Sequence, residues 1–342
     1  MNSLERVRRS IRGEKIDRFP VFPILIAPAC QLTNVKLDDY MQNADVMANT
    51  LIKARELCDF DGIYVSRDNW VYHQALGGSI TFPEDDESFS KQTILSSMND
   101  FRTLSIPEPS RAAGMKTVLE ASRKVMNSVG NEYYIQSNID VGPVSLASVL
   151  RGAQNFMIDL YTEKESDIHD FLSFCSDVII AYGQSMIETG VHGIQYGDST
   201  AGLLGPDLYE KFALPHQVRT IDELSKSSEC DFWLHICGDA KHILHDVATL
   251  NIQGFEVDSM IGLEQARISL GDKIALKGGI DTSFILLESE NTVYENVLDT
   301  LKKYKSDTGL IFSSGCGIPK MTPIENLKAM SQACKDYHIS SK

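Results

Sequence analysis

Three residues with soft or nitrogen donor atoms stand at the ends of two apolar runs. They are His235 and Cys237 in "DFWLHICGDA" (231–240) and Cys316 in "GLIFSSGCGIPK" (309–320). An imidazole and two thiolates suit zinc, a borderline-soft ion that takes nitrogen and sulfur ligands in tetrahedral geometry. Three protein ligands leave a fourth place for water, another side chain or a substrate. Two thiolates cancel the double charge of the ion, so such a centre polarises bound water less than an all-histidine one. It is better suited to holding an incoming thiol as a nucleophilic thiolate. Two competing readings are a buried His beside a buried Cys, and a structural four-ligand site completed by Asp198 or Asp239.

Other residues are placed for chemistry. Asp198 follows "HGIQYG" (192–197) and is a candidate general base or ligand, or else a loop cap. Asp68 and His73 lie in the polar, aromatic-rich "YVSRDNWVYHQALGG" (64–78) and are candidate catalytic residues. Gly278, Gly279 and Asp281 in "GGID" are candidate cofactor-binding positions, since glycine lets backbone approach a ligand closely. The glycines could also merely make a turn, and Asp281 before "TSFILL" could be a helix N-cap. Asp258 ends a strand-like run and is similarly placed. His242 and His245 in "DAKHILHDVATL" lack the HExxH pattern and read as surface or packing residues. Cys30, Cys58, Cys175, Cys230 and Cys334 have no ligand spacing and read as core or incidental thiols.

Positioning these groups requires a scaffold, and eight short strand-like runs supply one. They are 18–24, 61–66, 133–138, 191–197, 231–237, 252–258, 273–279 and 310–316, with helical periodicity between them, as in 165–190 and 292–304. Alternating strand and helix imply parallel strands with crossover helices. Eight units predict an α/β fold, a (β/α)8 TIM barrel, as one catalytic domain over 1–342. An N-terminal helix, 1–17, precedes the barrel, and a long insertion, 67–132, separates strands two and three. His235 and Cys237 then share one face at the end of strand five, and Cys316 closes strand eight. Barrel enzymes build their active sites at that end.

The bulk composition agrees with such an enzyme. Of 342 residues, 43% are hydrophobic and 23% charged, ordinary for a globular chain. A formal net charge of -15 argues against nucleic acid as a partner. The opening "MNSLERVRRSIRGEKIDRF" has no apolar stretch after its charges, and no run approaches the roughly 20 apolar residues of a membrane span. A cytoplasmic protein with no membrane partner is expected.

Several segments in order resemble the uroporphyrinogen decarboxylase superfamily, within it the zinc-dependent, corrinoid-dependent methyltransferases of the methylcobamide:coenzyme M type. They are "NIDVGPVSLASVLRGAQNFMIDL" (138–160), "GDSTAGLLGPDLYEKFALPH" (197–216), "ALKGGIDTSFIL" (275–286) and "SSGCGIPKMTPIENLKAM" (313–330). The resemblance implies a uroporphyrinogen decarboxylase-like barrel and a zinc ion on His235, Cys237 and Cys316. It implies methyl transfer between a methylcobamide, carried as substrate on a separate corrinoid protein, and a small thiol such as coenzyme M. It also admits, as alternatives, the reverse, from a methoxylated or methylated donor to cob(I)amide, or a catalytically silent corrinoid-protein or metal-binding partner. Decarboxylation of uroporphyrinogen fits poorly, because "DRFPVFPILIAPACQ" (17–31) offers only Arg18 to an octacarboxylate. The coenzyme M enzymes tend to carry an acidic residue where His73 or Gln74 stands, which leaves the fourth ligand, or a substrate contact, open.

Overall fold

Seven of the eight strand-like runs form parallel strands in the computed structural model, which describes residues 1–84, 86–226, 229–304 and 306–337. They are β1 (Gly62–Val65), β2 (Tyr134–Val141), β3 (Gly193–Gly197), β4 (Asp231–His235), β5 (Gly254–Val257), β6 (Ala275–Ile280) and β7 (Leu310–Ser314). Each pairs with the next in chain order, and helices such as Glu165–Ile187 and Glu290–Lys303 make the crossovers. Strands buried on both faces are what a parallel sheet under helices requires. The 67–132 segment carries the helices Val71–Ala75 and Ala113–Val129 and a 3-10 turn, Met98–Thr103.

The expected first strand, 18–24, is the exception. Pro20 and Pro23 remove two ladder donors, and what remains is a single parallel bridge between Val21 and Phe312 of β7. Phe22 N–H donates to Phe312 O (2.9 Å) and Phe312 N–H to Pro20 O (2.8 Å). On the other side, Asp61 N–H, just before β1, donates to Val21 O (2.8 Å). Residues 20–22 thus touch both β7 and the entrance to β1. The sheet curls to bring those two strands within reach of one short segment.

The N-terminal helix is shorter than its 1–17 segment. α1 (Ser3–Ile11) starts at Asn2, whose side chain accepts the Glu5 N–H, a normal N-cap. Val7 and Ile11 pack inside the curl with Phe22, Ile24, Tyr64, Tyr134, Trp233, Ala275 and Ile311. Leu4 N–H donates to Glu132 O before β2, and Ser10 Oγ to Leu310 O at the start of β7. α1 therefore lies across the N-terminal ends of the strands. Buried Asp61 fastens it there, accepting from Ser3, Arg6, Arg18 and the Val21 N–H at 2.7–2.9 Å.

Alternation sets which side chains enter the curl. On β4, Trp233 and His235 point in, while Leu234 packs outward under the helices. Trp233 needs Gly254 beside it, since a Cβ there would come within 2.1 Å of the indole. The Trp ring fills the lower part of the curl and leaves the upper part to polar groups. No helix among the described residues is long and apolar enough to cross a membrane.

Candidate metal centre

His235 is the last residue of β4, so Cys237 lies in the loop beyond it rather than on the strand as expected; Cys316 likewise follows the end of β7. The meeting is made by the loops. Cys237 N–H donates to Ser199 Oγ (3.2 Å), and Gly238 turns the chain at φ +83° with its N–H on Asp258 Oδ2 (2.8 Å). The three donor atoms converge: His235 Nε2 to Cys237 Sγ is 2.9 Å, Cys237 Sγ to Cys316 Sγ 3.6 Å, and Cys316 Sγ to His235 Nε2 3.8 Å. Tetrahedral zinc spaces two thiolates about 3.8 Å apart, and thiolate and imidazole about 3.6 Å. Two edges of the triangle fit; the third must open by about 0.7 Å on that standard. Among the described residues this is the one group of metal-type donors that converges on a point. Neither Asp198 nor Asp239 joins it.

The sulfurs are electrostatically unequal. The contact from Cys316 is the largest influence pushing the Cys237 thiol down, and His235 adds to it against burial. The same contact, then burial, push the Cys316 thiol up. Burial works to lower His235, but its contact with Cys237 and the charges of Cys237, Glu256 and Asp258 outweigh that and raise it. A dication among the three would take over the role of the shared proton and hold both sulfurs as thiolates.

Below His235 lies a buried polar layer absent from the sequence-level expectations. Glu256 and Lys277 are both at most 2% exposed and pair at 2.9 Å. Gln136 Nε2 donates to Glu256 Oε1 (3.1 Å), Gln195 Nε2 to Glu256 Oε2 (3.3 Å), Lys277 Nζ to Gln136 Oε1 (2.6 Å), and Tyr64 OH to Gln195 Oε1 (2.9 Å). The Lys277 ammonium also sits 4.0 Å from the Phe22 ring centroid. Burial lowers the pKa of Lys277, and Glu256 works against it. The signal for this layer was a lone charge inside each of two apolar runs, "GFEV" and "ALKGG".

The other candidate residues have structural partners. Asp198 is fully buried rather than facing the mouth; it accepts from Ser145 N–H and Gln217 Nε2, both at 2.8 Å. Burial raises its pKa against those bonds. Asp68 accepts from Trp70 N–H (3.0 Å), Arg67 (3.1 Å) and Ser88 Oγ (2.5 Å). His73 is buried, with Nε2 3.0 Å from Gln92 O, and burial lowers its pKa. Both residues therefore anchor the 86–92 segment. Asp281 caps helix Thr282–Leu287 through Phe284 N–H. A Cβ on Gly278 would meet Val257 O at 2.6 Å, and one on Gly279, at φ +136°, the Phe312 ring at 2.6 Å; strand packing alone demands both glycines. Asp140 was not anticipated. It is buried at the end of β2 in a left-handed conformation (φ +70°), with Oδ2 accepting from Tyr72 N–H (3.4 Å) and Oδ1 unpartnered. It ties β2 to the segment bearing Asp68 and His73.

The uroporphyrinogen decarboxylase (URO-D) family pattern matches residues 2–337. The methylcobamide:CoM methyltransferase of Methanosarcina acetivorans is 28% identical over 97% of both chains. A uroporphyrinogen decarboxylase of Pseudoalteromonas atlantica is 24% identical over 98% of both. A solved structure, a methyltransferase from Methanosarcina mazei, superposes with a TM-score of 0.88 at 22% identity, covering 98% of this chain and 99% of the other.

Proposed function

The chain belongs to the uroporphyrinogen decarboxylase family, and we propose that it works there as a zinc-dependent corrinoid methyltransferase, moving a methyl group between a methylcobamide and a thiol such as coenzyme M. The observation that carries this reading is the convergence of His235, Cys237 and Cys316 at the C-terminal strand ends. The similarity to a methylcobamide:CoM methyltransferase supports it. The reading includes a (β/α)8 barrel in which residues 20–22 take the place of the expected first strand.

His235, Cys237 and Cys316 would hold the ion. Bound there, zinc supplies the positive charge that keeps a thiol deprotonated at neutral pH without quenching its sulfur. The substrate's proton leaves to solvent, and its sulfur attacks the methyl carbon of methylcob(III)amide. The S–C bond forms and the Co–C bond breaks, with both electrons staying on cobalt as cob(I)amide. The chain's residues supply the place. Cys237 lies in an open loop, and Leu203, Met260 and Met321, all more than 60% exposed on loops after β3, β5 and β7, offer apolar contacts to a corrinoid delivered on a separate carrier protein. Arg18 is held by Asp61 at the opposite end of the strands, so it does not serve the carboxylates of a uroporphyrinogen.

The reverse direction, demethylating a methoxylated or methylated donor onto cob(I)amide, is the second reading. The His73–Gln74 pair favours it, because the coenzyme M enzymes tend to carry an acid where one of these two stands, and here His73 is committed to Gln92 O and Gln74 to Arg67. The test is anaerobic incubation of zinc-loaded protein with methylcobalamin and coenzyme M. Release of cob(I)alamin, seen spectroscopically, supports thiol methylation. Silence there, with methyl transfer from a methylated donor to cob(I)alamin, selects the reverse. Silence in both sinks the enzyme and leaves a metal-binding partner.

A further inference from the structure

We propose that Glu256 is a positioning residue for the metal centre: it accepts the His235 Nδ1 proton, turns Nε2 toward the ion, and is itself held in place by Lys277. This rests on the zinc reading above but concerns only how the ion is held.

Three adjacent strands set the relationship. His235 of β4 is level with Glu256 of β5, and Glu256 with Lys277 of β6, so the three side chains enter the curl side by side. His235 Nδ1 is buried with no hydrogen-bond partner, and Glu256 Oε2 is the carboxylate oxygen facing it at 3.4 Å. Oε1 is committed to Lys277 and Gln136, whereas Oε2 receives only the 3.3 Å contact from Gln195. One oxygen is therefore anchored, and the other keeps a free lone pair toward the imidazole. A metal on Nε2 requires the proton on Nδ1, and a carboxylate on that proton fixes both tautomer and ring angle.

Lys277 makes this arrangement tenable. A lone carboxylate in the closed interior of the curl would be costly to keep ionised. The ammonium, steadied by Gln136 Oε1 and the Phe22 ring, balances it. The layer as a whole carries no net charge, yet its negative end faces the histidine and its positive end faces away. That order distinguishes a device for the metal from a generic buried ion pair, for which either order would serve.

The experiment measures zinc affinity by chelator competition, with unfolding midpoints of the metal-free proteins alongside, for wild type, K277M and E256Q/K277M. The double variant removes both charges together, so no ion is left unpaired in the interior. It should bind zinc about 10- to 100-fold more weakly than wild type, the usual effect of losing such a partner. K277M keeps Glu256 but loses the group that holds it, so it should bind zinc more weakly than wild type and more tightly than the double variant. Should K277M not fold, E256D keeps the pair with Lys277 but shortens the reach to Nδ1, and it should weaken zinc binding in a protein of near-native midpoint. Equal zinc affinity in K277M and E256Q/K277M, which would make the pair simple scaffolding, or an unchanged affinity in E256D, overturns the proposal. Wild type that binds no zinc removes the proposal together with its premise. Wild type that binds zinc but transfers no methyl group overturns the methyltransferase reading and leaves this inference standing on its affinities.

Discussion

Cys237 Sγ and Cys316 Sγ stand 3.6 Å apart, although 79 positions separate the two residues. A disulfide needs about 2.05 Å, so closing one asks for a side-chain approach of about 1.5 Å from two loops. Chelating zinc in air should lower the titratable thiols by one pair and yield a cross-linked 237–316 peptide by mass spectrometry, reversible with dithiothreitol. Zinc-loaded protein should keep all seven thiols. An unchanged thiol count after chelation would mean the loops hold the sulfurs apart.

Metal content separates ligands from neighbours. Wild type purified without added metal should carry about one zinc per chain, the stoichiometry of a single such site, and Cys316→Ser should lose most of it. Asp198→Ala should keep its zinc and lose stability instead. It orphans the Ser145 N–H and the Gln217 amide in a fully buried place, at a cost of about 2–3 kcal/mol. Elemental analysis and urea unfolding read the two effects; zinc loss in Asp198→Ala with full stability would return Asp198 to the metal centre.

Asp61 should be among the costliest single positions outside the centre. Asp61→Asn withdraws a buried charge from both Arg6 and Arg18, and breaking such a network costs about 3–5 kcal/mol. Calorimetry should show a sharply lowered midpoint. A midpoint within a degree or two of wild type would show that the N-terminal helix is held chiefly by Val7 and Ile11.

Stability should also fall with acid through two histidines. Burial is the main cause pushing His192 and His216 each down to about 4, from about 6.5 in the unfolded chain. The unfolded state therefore binds their protons first, so their contribution is complete above about pH 6.5 and is lost as pH falls toward 4. Unfolding midpoints should drop across that window, and His192→Asn should flatten part of the slope. An identical slope in the variant would assign the whole loss to carboxylates.

The convergence of His235, Cys237 and Cys316 was legible because soft donors stood out at the ends of apolar runs, and alternation along strands is a local property. What placed Cys237 beside His235, however, was a turn at Gly238 and a bond to Asp258, which no spacing rule describes. The strand at 18–24 was over-read because its apolar residues outweighed Pro20 and Pro23. Asp198, Asp68 and His73 stood where catalytic groups stand, but their partners, Gln217, Ser88 and Gln92, come from other parts of the chain. Glu256 and Lys277 were missed for the same reason: each is a lone charge on its own strand, and only the register between strands makes them a pair.

The contact of residues 20–22 with both Phe312 and Asp61 bears on how the chain is made. It joins segments that lie about 290 positions apart in the chain, so the closing hydrogen bonds carry a large loop-closure entropy. Until β7 leaves the ribosome, the growing sheet presents an unpaired edge of apolar strand, the kind of surface on which partly folded chains aggregate. Loss of the Asp61 cluster would then show first as poor yield of folded protein, before any effect on turnover.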